Sequence, residues 1–157
     1  MNNRGLRDVL GVRRDLPVLW RRTDMADSLV GSYEHVESEN LEEYLTALDF
    51  PMMARKMIAH SGLQVQICKE DETWTISYKL AIGNKESFEV GSEYEVCGME
   101  EPSKCLASAV DGRLEIKEEG ERGTTIRTYE ETEEGIKITL HSEDKDVTAV
   151  RLLKKVE

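Results

Sequence analysis

The stretch 105–119, CLASAVDGRLEIKEE, consists of two short segments joined by the dipeptide Asp111-Gly112. An Asp-Gly pair between two such segments is a strong signal for a tight β-hairpin, because both residues accept the backbone angles of its turn. In the second segment, Leu114 and Ile116 alternate with charged residues. This alternation is typical of a strand with one sheltered face and one wet face. The stretch therefore predicts two antiparallel strands.

The same pattern of strand and turn recurs through the rest of the chain. Further turns are predicted at 70–73, at Gly83-Asn84, at Glu134-Gly135 and at 143–146, with an interruption at Gly91. An opening strand at 29–38 and a closing strand at 147–154 bring the total to about ten, nearly all joined by hairpins. Ten consecutive antiparallel strands curl and close rather than stay flat. The pattern predicts a mostly β fold, a ten-stranded antiparallel up-and-down β-barrel whose interior can hold a ligand.

Between the opening strand and the repeating hairpins, two short helices are predicted. In SENLEEYLTALDF, residues 38–50, Ser38 or Asn40 can cap the first helix, and acidic residues suit its positive end. In PMMARKMIAH, residues 51–60, Pro51 fits the first turn of the second helix. With almost no loop between them, the two helices form a helix-turn-helix lid over the barrel.

Composition bounds the class of protein. The 157 residues are 39% hydrophobic and 34% charged, which is typical of one soluble globular domain. The three cysteines form no CxxC pair, so we expect reduced thiols and a cytoplasmic location. A formal net charge of −11 argues against nucleic acid as a partner, because an acidic surface repels phosphates.

The charge is unevenly distributed along the chain. Residues 1–24 contain six arginines against three aspartates, whereas the acidic excess lies in 25–157. We expect 1–24 to be a basic, flexible extension and 25–157 to be the barrel domain, for which Met25 is a plausible second start. A mitochondrial presequence is the less favoured alternative, because this segment has acidic residues and no serine.

Candidate catalytic or metal-binding groups are sparse. His35, His60 and His141 lie far apart in the sequence, and no nucleophile–base motif is recognisable. We therefore expect no metal site and no enzymatic activity, with a lipid-modifying barrel enzyme as the disfavoured alternative.

The order of elements resembles the intracellular lipid-binding proteins, which include fatty-acid-binding proteins and cellular retinoid-binding proteins. The resemblance covers 25–157 and depends on order and spacing more than on any single motif. In the opening segment Tyr33 replaces the family's Trp and Leu41 replaces its Phe. The matching positions in the opening and in 88–96 are Gly31, Ser38, Asn40, Tyr44, Phe88, Gly91 and Glu93. The resemblance implies a β-clam barrel with a portal lid, no cofactor, no catalysis and reversible binding of hydrophobic ligands.

In many members of that family, two inward arginines and a tyrosine hold the carboxylate of the ligand. Arg151 falls on the arginine of the closing strand, but Leu153 stands where the tyrosine is expected. Aligning Thr124-Thr125 with the family puts the second arginine position at Thr128, which would leave Arg127 on the surface. A one-residue shift reverses the two faces of a strand. If it occurs, Arg127 and Tyr129 would rebuild a cationic site bearing a hydroxyl.

The rest of the cavity wall is predicted from the same resemblance to be mostly apolar. The alternative for each residue is that it merely packs the lid onto the barrel. The candidates are Leu41, Tyr44, Leu45, Phe50, Met53 and Ala54 on the lid, Leu80 or Ile82 at the portal turn, and Ile138 and Leu140 on the ninth strand.

These observations favour a monomeric carrier that binds a long-chain fatty acid or a similar hydrophobic carboxylate inside the barrel. A retinoid or a bile-acid-type ligand is the alternative within that class. An interaction protein with a vestigial cavity, using its basic extension to engage a partner, is the alternative outside it. Arg55 and Lys56 on the lid suggest either transient contact with anionic membranes or a plain solvated patch, and the sequence does not choose between them.

Overall fold

The computed structural model describes residues 25–60, 62–79, 83–96 and 101–156, so the predicted extension at 1–24 lies outside the described residues. A short 3-10 helix, Met25–Leu29, precedes the first strand. Two α-helices follow that strand, α1 (Leu41–Ala47) and α2 (Met52–His60), which together form the lid. The strands are β1 (Gly31–Glu39), β2 (Gln64–Glu70), β3 (Thr73–Lys79), β4 (Gly83–Glu89), β5 (Glu93–Val96), β6 (Ser103–Val110), β7 (Arg113–Gly120), β8 (Gly123–Glu131), β9 (Gly135–Ser142) and β10 (Val147–Val156).

All ten strands belong to one antiparallel sheet, in the order β4-β3-β2-β1-β10-β9-β8-β7-β6-β5. The pairing of β1 with β10 joins the start of the domain to its end, and it curls the meander into a nearly closed barrel. β4 and β5 stand at the two ends of this order, and the described residues show no ladder between them. The predicted ten-stranded antiparallel barrel with a two-helix lid is confirmed.

Hairpin turns explain most of the connections. Asp111 and Gly112 have φ angles of 54° and 80°, the left-handed values that a tight hairpin requires, as the sequence predicted. The turn predicted at Gly83-Asn84 is wrong. Both residues lie in β4, where they pair with Lys79 and Tyr78, so the connection falls within 80–82, outside the described residues.

The lid packs on the barrel through one face of α1. Leu41, Tyr44, Leu45 and Leu48 are buried together with Ala149 of β10. Burial of these side chains supplies most of the stability of so short a helix.

The predicted side-chain caps of α1 are not formed. Asn40 occupies the cap position, but its amide nitrogen donates to the Thr148 carbonyl oxygen at 2.8 Å, and the residue makes no side-chain cap. Ser38 lies within β1. Contacts with β10 therefore outweigh local capping at both positions.

A larger core fills the barrel with alternate residues from many strands, among them Ile76, Leu114, Ile116 and Ile136, each fully buried. At the end of this core, the Tyr33 hydroxyl donates to the Leu29 carbonyl oxygen at 2.6 Å and fastens the 3-10 helix. Leu140 packs against both this core and the lid cluster, so the space that β9 borders extends from the lid toward the barrel interior.

Candidate functional site

The barrel holds a cavity of about 570 Å³, the main cavity, which is partly open to solvent. A second space of about 420 Å³, the lid cavity, adjoins it beneath α1 and shares Glu118, Arg127 and Leu140 with it. A cavity of this size suits a small hydrophobic ligand. The main cavity is lined by Leu63, Tyr78, Lys85, Glu86, Ser87, Glu95, Val96, Glu118, Arg127, Tyr129, Ile138, Leu140 and Arg151.

Arg151 points into the main cavity, as the sequence predicted. In β10, Ala149, Arg151 and Leu153 are buried while the residues between them are more exposed, so the three share the inner face. Arg151 is only 4% exposed, and its Nε donates to the Ser38 hydroxyl oxygen at 3.1 Å. Its Nη2 is buried and has no hydrogen-bond partner among the described residues.

This environment is unfavourable for a positive charge. Desolvation by burial lowers the pKa of Arg151 below its ordinary value. A carboxylate delivered to Nη2 would satisfy both the charge and the missing hydrogen bond.

Arg127 also faces inward, so the prediction that Thr128 lines the cavity and Arg127 lies on the surface is wrong. Arg127 pairs with Ile116 and Leu140, which belong to the inner face, and Thr128 belongs to the opposite face. The error is one residue of register in β8. Packing against Ile116 on β7 and Leu140 on β9 determines that register. Aligning Thr124-Thr125 with the family gives the wrong one.

Arg127 is held in a closed polar network. Its Nη2 lies 2.7 Å from Glu86 Oε1, and its Nη1 donates to the Tyr129 hydroxyl at 2.8 Å and to the Tyr78 hydroxyl. The Tyr78 hydroxyl also donates to Glu86 Oε1 at 2.8 Å and lies 2.6 Å from the Tyr129 hydroxyl. The guanidinium therefore has its own carboxylate inside the protein.

The electrostatics agree with this geometry. Burial raises the pKa values of Tyr78 and Tyr129, so both hydroxyls stay protonated. Desolvation opposes the charge of Arg127, but the neighbouring oxygens, including Glu86, outweigh it and raise the pKa of the guanidinium.

Glu86 and Tyr78 are the site residues that the sequence analysis missed. In β4, Glu86 and Phe88 are buried and flanked by more exposed residues, so they share the inner face. In β3, Trp74, Ile76 and Tyr78 alternate in the same way. Alternation would have pointed both Glu86 and Tyr78 inward.

The predicted lid and wall residues divide into three groups. Tyr44, Leu45 and Phe50 line the lid cavity, and Ile138 and Leu140 line the main one. Leu41 and Leu153 are buried in the packed clusters and line neither cavity.

The remaining predicted residues lie elsewhere. Ala54 is half-buried and lines neither cavity, and Ile82 falls outside the described residues. Met53 is 83% exposed, so its predicted place in the cavity wall is wrong. It lies in the first turn of α2, a helix in which no residue is fully buried.

Arg122, in the turn between β7 and β8, fastens the lid. Its Nη1 donates to the carbonyl oxygens of Leu48 at 2.9 Å and Asp49 at 3.0 Å, both just after α1. Its guanidinium carbon also lies 4.2 Å from the centre of the Phe50 ring, a cation–π contact. The sequence carried no signal for this contact, because it joins segments more than 70 residues apart.

The described residues hold no group of three or more His, Cys, Asp or Glu side chains arranged to bind a metal ion. Neither α1 nor α2, nor any other described helix, has the length and apolar character needed to cross a bilayer.

Comparison with known proteins decides the family. No family model matches the sequence. Cellular retinoic acid-binding protein 2 of Mus musculus is 32% identical over 130 residues, which cover 78% of this chain and 94% of the mouse protein. The chain belongs to the intracellular lipid-binding protein family.

Solved structures support the same fold. A fatty acid-binding protein of Schistosoma mansoni, in complex with arachidonic acid, is 18% identical with a TM-score of 0.77, covering 85% of this chain and 99% of that one. A fatty acid-binding protein from the brain tissue of Drosophila melanogaster is 25% identical with a TM-score of 0.72, covering 80% and 98%. This member of the lipid-binding family therefore has the fatty acid-binding protein barrel.

Proposed function

We propose that this protein is a carrier that binds a long-chain fatty acid, or a similar hydrophobic carboxylate, reversibly inside its barrel. The observation that carries the proposal is Arg151, a buried cavity-lining cation whose Nη2 has no partner among the described residues. A buried charge without a partner is unstable, and a carboxylate is its natural complement because the guanidinium fork matches its two oxygens.

The apolar part of the ligand would supply most of the affinity. Each methylene buried in the cavity contributes about 0.8 kcal/mol. Ile138 and Leu140 line the route from Arg151 toward the lid cavity, where Leu45 and Phe50 extend the apolar wall. The head group would then determine the orientation of the chain in the barrel.

The relatives support this class of ligand. The mouse relative is named for retinoic acid, and the Schistosoma structure contains arachidonic acid. Both molecules are hydrophobic carboxylic acids, which suits a cavity where Nη2 of Arg151, unpartnered among the described residues, lies beside Ile138 and Leu140. Whether this chain takes a fatty acid, a retinoid or a bile-type acid is tested by extracting the purified protein and identifying bound lipid by mass spectrometry.

A titration of a long-chain fatty acid and its matching alcohol tests the role of Arg151. We expect Arg151→Ala to weaken the acid about tenfold or more, as loss of a charge-assisted hydrogen bond does, and to leave the alcohol nearly unchanged. Arg113→Ala on the outer end of β7 is the matched control, and it should affect neither ligand. Equal losses for acid and alcohol would reject the carboxylate anchor.

We also propose a cytosolic monomer that touches anionic membranes briefly through α2. Met52, Met53 and Met57 are exposed on this helix beside exposed Lys56. Apolar side chains next to a basic one suit an anionic bilayer surface. Ligand transfer to anionic vesicles should be slower for Lys56→Glu than for the unmodified protein, while transfer to neutral vesicles should be equally fast. Sedimentation should give the mass of a single chain, as expected for a monomer.

A further inference from the structure

Two arginines enter the main cavity, Arg127 from β8 and Arg151 from β10. Because β9 lies between these strands, the two backbones are separated by two interstrand spacings, about 10 Å. A flexible ligand with an acidic group at each end would need a free cation for each group, since a buried carboxylate without a partner is strongly disfavoured.

The two arginines differ in what already surrounds them. Glu86 lies 2.7 Å from Arg127, with the two side chains only 7% and 16% exposed, and two tyrosine hydroxyls complete the network. Arg151 has a serine hydroxyl for Nε and an unpartnered, buried Nη2 among the described residues. The protein therefore supplies an anion to one guanidinium and leaves the other for a ligand.

We infer that Glu86 is a specificity-determining residue, which occupies Arg127 and so restricts the cavity to ligands with a single anionic end. This inference rests on the proposed function. A second ligand carboxylate near Arg127 would lie beside the Glu86 carboxylate, and repulsion between like charges is a common means of rejecting a wrong ligand. The accepted class is a monocarboxylate, and the rejected class is a dicarboxylate.

The experiment compares a long-chain monocarboxylic acid with the α,ω-dicarboxylic acid of the same length. The unmodified protein should prefer the monoacid about tenfold or more, the usual scale of discrimination by one buried charge. Glu86→Gln keeps the size of the side chain and removes its charge, so it should reduce this preference about tenfold by tightening the diacid. Glu119→Gln is the matched control, because Glu119 is an exposed carboxylate on the outer face of β7 and lines neither cavity. It should leave the preference unchanged.

A second variant tests the same pair from the other side, and it decides the question if Glu86→Gln does not fold. Arg127→Gln leaves the carboxylate of Glu86 without its cation. It should therefore gain affinity for a long-chain ω-amino carboxylic acid, whose ammonium can meet Glu86 while its carboxylate meets Arg151.

The outcomes separate the two proposals. If the unmodified protein binds the monoacid but no folded variant gains its doubly charged ligand, the inference about Glu86 is overturned and the proposed function stands. If the unmodified protein binds neither the monoacid nor another hydrophobic carboxylate, the proposed function itself fails.

Discussion

Arg151 and Ser38 are opposite one another in the β1–β10 pair, and Ser38 accepts a hydrogen bond from Arg151 Nε at 3.1 Å. Ser38 Oγ also lies 2.7 Å from His35 Nε2. His35 pairs with Leu153, and an irregularity between His35 and Glu37 shifts the alternation of β1, so His35 and Ser38 both face the side of Arg151. His35, a titratable side chain, is thereby connected through Ser38 to Arg151 in the cavity.

The first prediction concerns pH. Burial and then the charge of Arg151 lower the pKa of His35 below 6.5, although Glu37 opposes both. A carboxylate bound to Arg151 would cancel part of that repulsion, so His35 would bind its proton more readily in the complex. By linkage, affinity for a carboxylate should rise as pH falls below 6.5 through the pKa of His35.

Titrations of an ionised ligand between neutral and mildly acidic pH measure the pH slope, which is the change of affinity with pH. His35→Gln should flatten it. His141→Gln should preserve it, because His141 is bonded to Thr148 at the other end of the β9–β10 hairpin. An unchanged slope in His35→Gln would mean that another group binds the proton.

The second prediction concerns Ser38 as a positioning residue. Ser38→Ala removes the hydroxyl that orients Arg151 and connects it to His35. We expect carboxylate affinity to fall about tenfold, the cost of one hydrogen bond to a charged group. The pH slope should also decrease. Ser87→Ala removes a hydroxyl that is bonded to Thr75 on the exposed face of β4, and it should change neither quantity. A weaker affinity with an unchanged slope would reject the connection through Ser38.

Much of the fold could be predicted because its signals are local. The Asp111-Gly112 turn requires positive φ angles that these residue types accept, and alternation along each strand marks the inner face. The turn predicted at Gly83-Asn84 is wrong because pairing with β3 holds these turn-forming residues in a strand.

The site was less predictable because its contacts are distant in sequence. Glu86 and Arg127 meet only after β4 and β8 have taken their places in the barrel, so no local pattern connects them. Whether Arg127 or Thr128 faces inward depends on one residue of register, which the packing of Ile116 and Leu140 determines. Arg151 was predicted to face inward because it falls on the arginine of the family's closing strand. Only the structure shows that its Nη2 has no hydrogen-bond partner among the described residues.

The third prediction concerns the core. Leu114 is fully buried in the main hydrophobic cluster, so Leu114→Ala should lower the free energy of unfolding by about 2–5 kcal/mol. Leu106→Ala makes the same change at a position that is 39% exposed, and it should cost much less. Urea denaturation of both variants measures the difference, and similar midpoints would contradict the assignment of Leu114 to the core.

The fourth prediction concerns the lid. Arg122→Ala removes two hydrogen bonds to the end of α1 and a cation–π contact with Phe50. These contacts hold the lid against the turn that borders the lid cavity, so their loss should speed both ligand entry and ligand release. Losing about 1 kcal/mol of this restraint corresponds to about fivefold in each rate, with little change in affinity because both rates rise together.

Stopped-flow displacement of a bound fluorescent fatty acid measures the release rate. Arg113→Ala is the control for loss of an arginine at the other end of β7, and its release rate should match that of the unmodified protein. If Arg122→Ala unfolds at the same denaturant concentration as the unmodified protein and releases ligand no faster, ligand passes elsewhere. The gap between β4 and β5 is then the alternative route, because these two strands form no ladder with each other among the described residues.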